Sequence, residues 1–441
     1  MNEKKLKKYQ KKKSKRKIWL LLVDDILYEI FHYFPSWFII KVCMKISRQW
    51  RQVAFRIPLS ITVPVYHSIF APPQLIRHLA NSECLENMTS LNINRNDIGI
   101  EGIKCLAHSN YFKNLTCLKI TFYGDGNNCL AKLIANSENL KILTSLNLHC
   151  NLDNEGVQFI SNSNYLKNLT SLRLNSNKRQ CWDYIYRNNI DDEDYRSVEY
   201  ITNSERLKSL KYLTLNYNNI GTEGAEYKAN PEHLKNLTCL TLNENRIWDA
   251  RVKHIANNEH LNNLTCLELR GNGIGRKGVQ YIATSKYLKN LRWLDLSSNR
   301  IRNKGIQCFA NSEYFQNLTY LNLSSNCIEG KAIPFLANNE CLVNLTSLDL
   351  SRNLISDENR ECIENMEFFK NLISLRMDCD DECDGYNSPY GSPFDWNNDY
   401  AEDDSSDDQL PPSPIPRRSS KDMKTRKRTS LNGVDLIICY Y

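Results

Sequence analysis

The chain has 441 residues, of which 41% are hydrophobic and 24% charged, a composition that is ordinary for a globular protein and excludes wholesale disorder. The 57 basic and 50 acidic residues give a formal net charge of +7, and no apolar run approaches the roughly 20 residues that a membrane-spanning helix needs. The 16 cysteines are scattered singly, which favours free thiols in a reducing compartment and predicts a cytoplasmic location. Length alone predicts about three domains.

Near the N-terminus, residues 4–17 form a basic segment in which ten of fourteen side chains are Lys or Arg. Such a segment is compatible with a nuclear-import signal, an RNA-contacting arm, a membrane-surface patch or a merely solvated tail. The sequence leaves these alternatives open, and nuclear entry with them. We predict a disordered basic tail over residues 1–17.

The next segment, residues 18–58, has apolar residues at helical spacing and predicts a small helical domain. Asp24 and Asp25 fall in the first turn of its first helix, where carboxylates stabilise the helix dipole, and Pro35 ends that helix. A second apolar set follows and ends with Trp50. The simplest interpretation is a helical cap on whatever comes next in the chain.

The order of residues in this segment also resembles an F-box. It has an opening Leu-x-x-Asp-x-Leu from Leu22 to Leu27, an Ile-Phe pair, a Tyr-Phe-Pro corner and the sequence KISRQWRQVA, although Val23 stands where the family usually has Pro. The resemblance implies binding to the Skp1-type adaptor of a cullin-RING ubiquitin ligase. By this resemblance, seven residues would contribute either to the adaptor interface or to the domain's own core: Leu22, Ile26, Leu27, Ile30, Phe34, Ile46 and Trp50.

From residue 59 to residue 377 the chain is one repeat array. The phrase NLTxLxLxxNxI recurs about eleven times, mostly 27 residues apart, so the three-domain expectation from length is replaced by a solenoid. The first leucine of each LxL serves as an index; these are Leu91, Leu118, Leu146, Leu172, Leu213, Leu240, Leu267, Leu294, Leu321, Leu348 and Leu375. Val63, 28 residues before Leu91, is expected to index a degenerate first unit that caps the array.

Each unit reads as a strand, a turn, a helix and a return loop. Alternating Leu-x-Leu predicts a strand with one buried face, and an Asn five residues after the index leucine can satisfy backbone groups where the strand turns away. The pattern resembles the leucine-rich repeat family, and its ribonuclease-inhibitor subclass in particular. The resemblance implies an α/β horseshoe with parallel strands on the concave face and helices on the convex face.

Two features interrupt or accompany the repeats. An insertion near residues 178–192 places Trp182, Tyr184 and Tyr186 before an acidic run, and it reads either as a harmless surface loop or as a partner contact. Asn-Leu-Thr matches the glycosylation sequon at six positions, but its fixed phase with the repeat predicts a structural role.

On each strand, the positions −1, +1 and +3 from the index leucine should face the concave side. Early units place small polar residues there, whereas middle units place aromatic and charged ones, the composition expected of a binding surface. The predicted substrate-binding residues are Tyr212, Glu268, Arg270, Trp293, Asp295, Tyr320, Asn322 and Asp349. The alternative is that these are ordinary variable positions.

The C-terminal segment, residues 378–441, is predicted to be disordered, acidic first and basic from Arg417 onward. No nucleotide-binding loop, HExxH, GxSxG or CxxC motif is present, so we expect neither a catalytic site, a metal nor a cofactor. The net charge is concentrated in the tails, with +9 in residues 1–17 and −7 in residues 377–441. Nucleic-acid binding is therefore not expected of the folded middle.

Three functions are compatible with these features of the sequence. The leading expectation is a non-catalytic substrate-recognition adaptor of a Skp1–cullin–F-box ubiquitin ligase, whose repeats bind a protein substrate. A GTPase-regulating protein similar to the Ran GTPase activators is an alternative, with Arg270 as a candidate contact. A pure protein-interaction scaffold is the third. The sequence identifies no particular substrate.

Overall fold

The computed structural model describes residues 24–63, 73–93, 99–122, 126–176, 196–218, 220, 231–310, 312–337, 340–356 and 371–377. The chain divides into two units, Met1–Cys383 and Asp384–Tyr441, and the second lies wholly outside these described residues. The predictions for Leu22, for residues 178–192 and for both tails also lie outside them.

One open sheet of twelve parallel strands runs through the first unit, and each strand pairs with the next one in the sequence. The strands are β1 Leu59–Thr62, β2 Met88–Ile93, β3 Cys117–Thr121, β4 Ser145–His149, β5 Ser171–Asn175, β6 Tyr212–Thr214, β7 Cys239–Thr241, β8 Cys266–Glu268, β9 Trp293–Asp295, β10 Tyr320–Asn322, β11 Ser347–Asp349 and β12 Ser374–Arg376. Parallel neighbours need a crossover between them, and in nine of the eleven crossovers the described residues include an α-helix. The predicted leucine-rich repeat solenoid is confirmed.

Helices of successive units pack beside one another. The helices between strands are α5 Pro73–Ala80, α6 Gly99–His108, α7 Asn127–Ala135, α8 Asn154–Ser161, α9 Arg196–Thr202, α10 Trp248–Ala256, α11 Arg276–Ala283, α12 Arg302–Ala310 and α13 Ile333–Ala337. Before β1 come α1 (residues 24–32), α2 Ser36–Phe38, a π-helical turn Ile39–Cys43, α3 Met44–Ile46 and α4 Arg48–Ala54. Within the described residues, no helix is long and apolar enough to span a membrane.

The index leucines lie in register across the sheet, as Leu294 does between Leu267 and Leu321. These three side chains are fully buried, because alternate strand residues point to the same face and every unit buries that face. Removing a leucine side chain from water contributes about 1.5–3 kcal/mol, so the repeated leucines dominate the stability of the array.

The asparagine five residues after most index leucines ties neighbouring units together; Tyr123 and Asp380 stand at this position in two units. Asn272 Oδ1 accepts from the backbone N–H of Asn245 at 2.9 Å, and its Nδ2 donates to the backbone oxygens of Leu242 at 2.9 Å and Arg270 at 3.1 Å. The amide of each of Asn218, Asn245, Asn299, Asn326 and Asn353 likewise donates to a backbone oxygen of the preceding unit. The backbone groups freed where the strands end are therefore satisfied by side chains.

The asparagine of the Asn-Leu-Thr phrase makes a second set of bonds between units. Asn263 Nδ2 donates to the backbone oxygen of Lys235 at 2.7 Å. Asn290 and Asn371 occupy the same position and make the same bond, although neither belongs to a sequon. The recurrence of the sequon thus has a structural explanation.

The first strand corrects one expectation. β1 places Ile61, not Val63, beside Leu91, and its register shifts by one residue between Leu59 and Ser60. The insertion after β5, in contrast, leaves the sheet register intact, since Leu172 pairs directly with Leu213.

Candidate interaction surfaces

The predicted sheet-face residues of the middle units lie side by side on β8 to β11. Glu268, Asp295, Asn322 and Asp349 form one row along the sheet, each next to the following residue on the adjacent strand. Adjacent strands lie about 4.8 Å apart, so the carboxylates of Glu268 and Asp295 belong to immediate neighbours. Three acids and one neutral amide, all at the same position of their repeat units, therefore form one row of the sheet.

Two aromatic side chains flank this row. Trp293 and Tyr320 are register partners on β9 and β10, and their rings stack with centroids 3.4 Å apart and an interplanar angle of 5°. Both side chains are half-buried. The indole Nε1 of Trp293 is buried and has no acceptor among the described residues. Together the two rings form a face-to-face stack across β9 and β10, whose outer faces are turned toward the small register partners Cys266 and Ser347.

The carboxylates are held by neutral donors. Asp295 Oδ1 accepts from the backbone N–H of Ser297 at 2.8 Å, and Glu268 Oε2 accepts from Asn243 Nδ2 at 3.1 Å. Burial raises the pKa of Glu268, with a further contribution from the charge of Asp295, and burial likewise raises the pKa of Asp295. Ionised carboxylates at this face are thus partly desolvated.

The same negative charges also affect the pKa of Tyr320. Burial, together with the charges of Asp295 and Asp349, raises the pKa of its phenol to about 12. The hydroxyl therefore stays protonated at neutral pH and is available as a hydrogen-bond donor.

The remaining predicted residues lie at the margins of this group. Tyr212, on β6, is 46% exposed. Arg270, just after β8, is exposed and forms an ion pair with Glu244 at 3.8 Å. No local sequence pattern indicated Glu244 as the partner of Arg270, because Glu244 lies in the preceding unit.

A pair of cysteines on the same face was also missed. Cys239 and Cys266 are register partners on β7 and β8, in the row that continues to Trp293 and Tyr320. The hydrogen bond between their thiols lowers the pKa of Cys239. The 27-residue spacing of the two cysteines was the available signal. Within the described residues, no group of three or more His, Cys, Asp or Glu side chains could hold a metal ion.

A second surface lies on the N-terminal helices, where apolar side chains face water. Of the ten large hydrophobic side chains that are exposed in the described part of the chain, six belong to this segment: Ile26, Ile30, Tyr33, Phe38, Val42 and Ile46. We call these six residues the N-terminal apolar face. Tyr33, Phe38 and Val42 were not among the predicted adaptor contacts.

The structure divides the predicted adaptor-binding residues. Ile26, Ile30 and Ile46 are exposed, whereas Leu27 is buried and belongs to the core. Phe34 and Trp50 pack against that core; Trp50 contacts the fully buried Phe31 with ring centroids 5.2 Å apart, and Phe34 lies 6.4 Å from the same ring.

Comparisons with known proteins agree with the repeat architecture. Models of the leucine-rich repeat match residues 84–107, 206–227, 260–283, 287–310 and 316–333, and a second model of the repeat matches residues 344–366. The chain therefore contains leucine-rich repeats and, with its twelve-stranded parallel sheet, has the fold of a leucine-rich repeat solenoid. No curated protein matches the sequence.

Solved structures with similarity to the chain include an internalin (inlF) from Listeria monocytogenes. It is 19% identical, with 78% of this chain and 94% of that chain covered and a TM-score of 0.37. Another comes from the Rad7 and Elc1 complex in yeast. It is 15% identical, with 84% of this chain and 95% of that chain covered and a TM-score of 0.37.

Proposed function

We propose that this protein is a non-catalytic substrate-recognition subunit of a Skp1–cullin–F-box type of ubiquitin ligase. The N-terminal helices would bind the Skp1-like adaptor, and the repeat array would bind a protein substrate. The N-terminal apolar face carries the proposal, because its side chains are exposed among the described residues and supply the apolar surface that such an adaptor would cover. The F-box-like order of residues 22–54 supports the choice of partner.

The exposed residues are costly to leave in water. Ile26 is 56% exposed and Ile46 is 54% exposed, although neighbouring Leu27 and Phe31 are buried. Exposed apolar side chains concentrated in one segment of a folded protein are typical of an interaction site. Covering it would recover about 25 cal/mol for each Å² of apolar area removed from water.

In this proposal the chain contributes position rather than chemistry. The adaptor end would connect the protein to the ligase, and the sheet face would hold the substrate within reach of ubiquitin transfer. Holding two reactants together converts a bimolecular encounter into an effectively intramolecular one. We expect such a complex to operate in the cytoplasm or the nucleus.

Co-purification with a Skp1-like adaptor and its cullin tests the proposal. We expect the wild-type chain to capture the adaptor, and the triple variant Ile26→Ala, Ile30→Ala, Ile46→Ala to lose capture. The three side chains are exposed, so the variant should keep its melting temperature. The matched control is Ile142→Ala, Leu354→Ala, Ile373→Ala, which removes exposed apolar groups elsewhere. A folded wild-type chain that captures no adaptor would refute the proposal.

A GTPase-regulating role is the second candidate, because Arg270 is an exposed arginine on the sheet face. Its ion pair with Glu244 would have to open before the guanidinium could reach a bound nucleotide. GTP hydrolysis by small GTPases, measured with wild-type protein and Arg270→Ala, separates this function from the ligase role. A scaffold without either activity would give negative results in both assays.

A further inference from the structure

Five side chains of β8 to β11 form a continuous patch, which we call the acidic–aromatic face: Glu268, Trp293, Asp295, Tyr320 and Asp349. The aromatic rings occupy one row of the sheet and the carboxylates the next, two residues further along each strand. Side chains two residues apart on a strand point to the same side, so a ligand on this face meets both rows.

Cationic side chains of the described residues lie near the carboxylates without forming ion pairs with them: burial raises the pKa of Asp295 and the charge of Arg270 partly offsets this rise, and Arg376 on β12 is the register partner of Asp349. In the described part of the chain, no ion pair joins Glu268, Asp295 or Asp349 to a Lys, Arg or His side chain. Like charges on directly adjacent strands destabilise a sheet, and burial makes the repulsion worse. Folding alone therefore gives no reason to place three acids here.

The local hydrogen bonds do not require the charge either. Asp295 and Asp349 each accept from the backbone N–H two residues later, at 2.8 Å and 3.0 Å. Asn322, between them, accepts the equivalent bond from Ser324 at 3.0 Å. A neutral amide thus performs the same structural task on the intervening strand, and the negative charge is an addition to it.

Charge along the same sheet row changes sign. Lys119 on β3 and Arg173 on β5 occupy the row before the acidic stretch begins at Glu268. Neutral Thr214 and Thr241 separate Arg173 from Glu268, and Arg376 follows Asp349 on β12, so the acidic–aromatic face is a negative stretch between cationic positions of the row. Such a distribution orients a bound chain and selects the charge of what docks at each end.

We propose that the acidic–aromatic face binds an arginine-containing segment of a protein partner. A guanidinium stacks on an outer face of the Trp293–Tyr320 ring stack while its N–H groups donate to the carboxylates of the adjacent row, a combination that the compact lysine ammonium matches less well. The proposal rests on the proposed function insofar as the partner is the ligase substrate. Binding itself needs no adaptor.

The test measures binding of fluorescein-labelled (Gly-Arg)₄ and (Gly-Glu)₄ peptides to the full-length chain by fluorescence anisotropy at low salt, where screening is weak. We expect (Gly-Arg)₄ to bind and (Gly-Glu)₄ not to bind. The double variant Asp295→Asn, Asp349→Asn should bind (Gly-Arg)₄ about tenfold more weakly. It should remain folded because Asn322 already makes the equivalent bond. Trp293→Ala should also weaken binding.

The matched control is Glu101→Gln, Glu138→Gln, which removes two exposed charges outside the strands. Both double variants keep the acidic C-terminal segment, so only a difference between them reports on the sheet face. Equal loss in the two variants, or no binding of (Gly-Arg)₄, would overturn the proposal. Stronger peptide binding by a chain without residues 1–17 would overturn it too, by assigning the face to the chain's own basic tail.

Adaptor capture by the same variants separates this inference from the proposed function. Asp295→Asn, Asp349→Asn should capture the adaptor as wild type does, because both positions lie far along the array from the N-terminal helices. If this variant captures the adaptor and also binds (Gly-Arg)₄ as tightly as wild type does, only the present inference fails. If the wild-type chain captures no adaptor but the Asp295→Asn, Asp349→Asn variant binds (Gly-Arg)₄ more weakly than wild type, only the ligase proposal fails.

Discussion

In units that carry asparagine at both of these repeat positions, such as the one indexed by Leu267, the two residues connect the unit to its neighbour in different environments. Asn272 is buried and serves four backbone groups, those of Leu242, Asn245, Ile247 and Arg270. Asn263 is exposed and donates a single bond to Lys235. A buried backbone group that loses its partner pays its full desolvation cost, whereas an exposed one is rehydrated.

This difference predicts unequal costs for the same substitution in one unit. Asn272→Ala should lower the free energy of unfolding by about 3 kcal/mol, since several buried groups lose their partners at once. Asn263→Ala should lower it by about 1 kcal/mol. Urea unfolding followed by circular dichroism measures both. Equal losses would mean that the buried ladder is no more important than the exposed one.

Burial of the Asp295 carboxylate predicts that the effect of this residue on stability depends on pH. Because burial raises its pKa in the folded state, the charged form is penalised by folding, and the penalty grows as pH rises through the folded pKa. Asp295→Asn should therefore be more stable than wild type at pH 7. The gain should vanish below the unfolded pKa of about 3.9, where both proteins are neutral at this position. If the free energies of unfolding of the two proteins differ by the same amount at pH 7 and below about pH 3.9, the raised pKa of Asp295 is contradicted.

At the scale of single elements, the 27-residue period determines which side chains are neighbours. Residues one period apart lie on adjacent strands in the same row, as Cys239 and Cys266 do. In contrast, Cys117 has serines as its register partners on both sides, Ser90 and Ser145. The strands thus offer an internal comparison between a paired and an isolated thiol.

Mild oxidation with copper phenanthroline should link Cys239 to Cys266. Strands about 4.8 Å apart place the two Cα atoms within the range of a disulfide. Peptide mapping by mass spectrometry should find this link and none from Cys117. A link from Cys117 to another strand, with Cys239 and Cys266 still reduced, would show that the register is wrong.

Glycine at the start of a helix serves packing here. A Cβ on Gly278 would lie 2.5 Å from Asp249 Oδ1 and 2.6 Å from Ile274 Cγ2. Asp249 cannot easily move away, because its Oδ1 accepts from the backbone N–H of Gly275 at 2.7 Å. Gly278 therefore permits close approach of adjacent units.

Gly278→Ala should lower the free energy of unfolding by about 1–3 kcal/mol through overpacking. Gly275→Ala is the control, since its nearest contact would be 3.3 Å from Asp249 Oδ2. Thermal unfolding of the two variants should show a clearly larger decrease for Gly278→Ala. The reverse order would mean that Asp249 and Ile274 relax freely.

At the scale of the first unit of the structure, the N-terminal helices and the repeats share one apolar core. Val53 and Ala54 of α4 are buried in the same cluster as Leu59 and Ile61 of β1. The hydroxyl of Ser36 accepts from the backbone N–H of Ser60 at 2.9 Å. The helices therefore cover the first edge of the sheet, as terminal units of repeat proteins generally must.

Removing residues 1–56 should destabilise the whole array, because the side chains of β1 and the unpaired edge of the sheet would become exposed to water. We expect a lower melting temperature or aggregation of the truncated chain, measured by circular dichroism and light scattering. The Ile26, Ile30, Ile46 triple variant is the control and should melt as wild type does. An unchanged melting temperature after truncation would show that the helices do not stabilise the repeats.

The sequence by itself determined the repeat architecture of this protein. A fixed period repeats the same local geometry, so the strands, the buried leucines, the asparagine ladder and the rows of the sheet face all follow from spacing. It also predicted that Trp293, Asp295 and Tyr320 share a face, because alternation along a strand and register between strands are both periodic.

Only the tertiary structure decided what depends on contacts outside the repeat. The packing of α1 to α4 determines that Ile26 and Ile46 face water while Leu27 is buried, and the irregular pairing after Leu59 makes Ile61 the first index residue. The ring stack of Trp293 on Tyr320 and the pairing of Arg270 with Glu244 depend on side-chain positions in neighbouring units. Such contacts join residues that are distant in sequence, and no local pattern specifies which of several compatible arrangements has the lowest free energy.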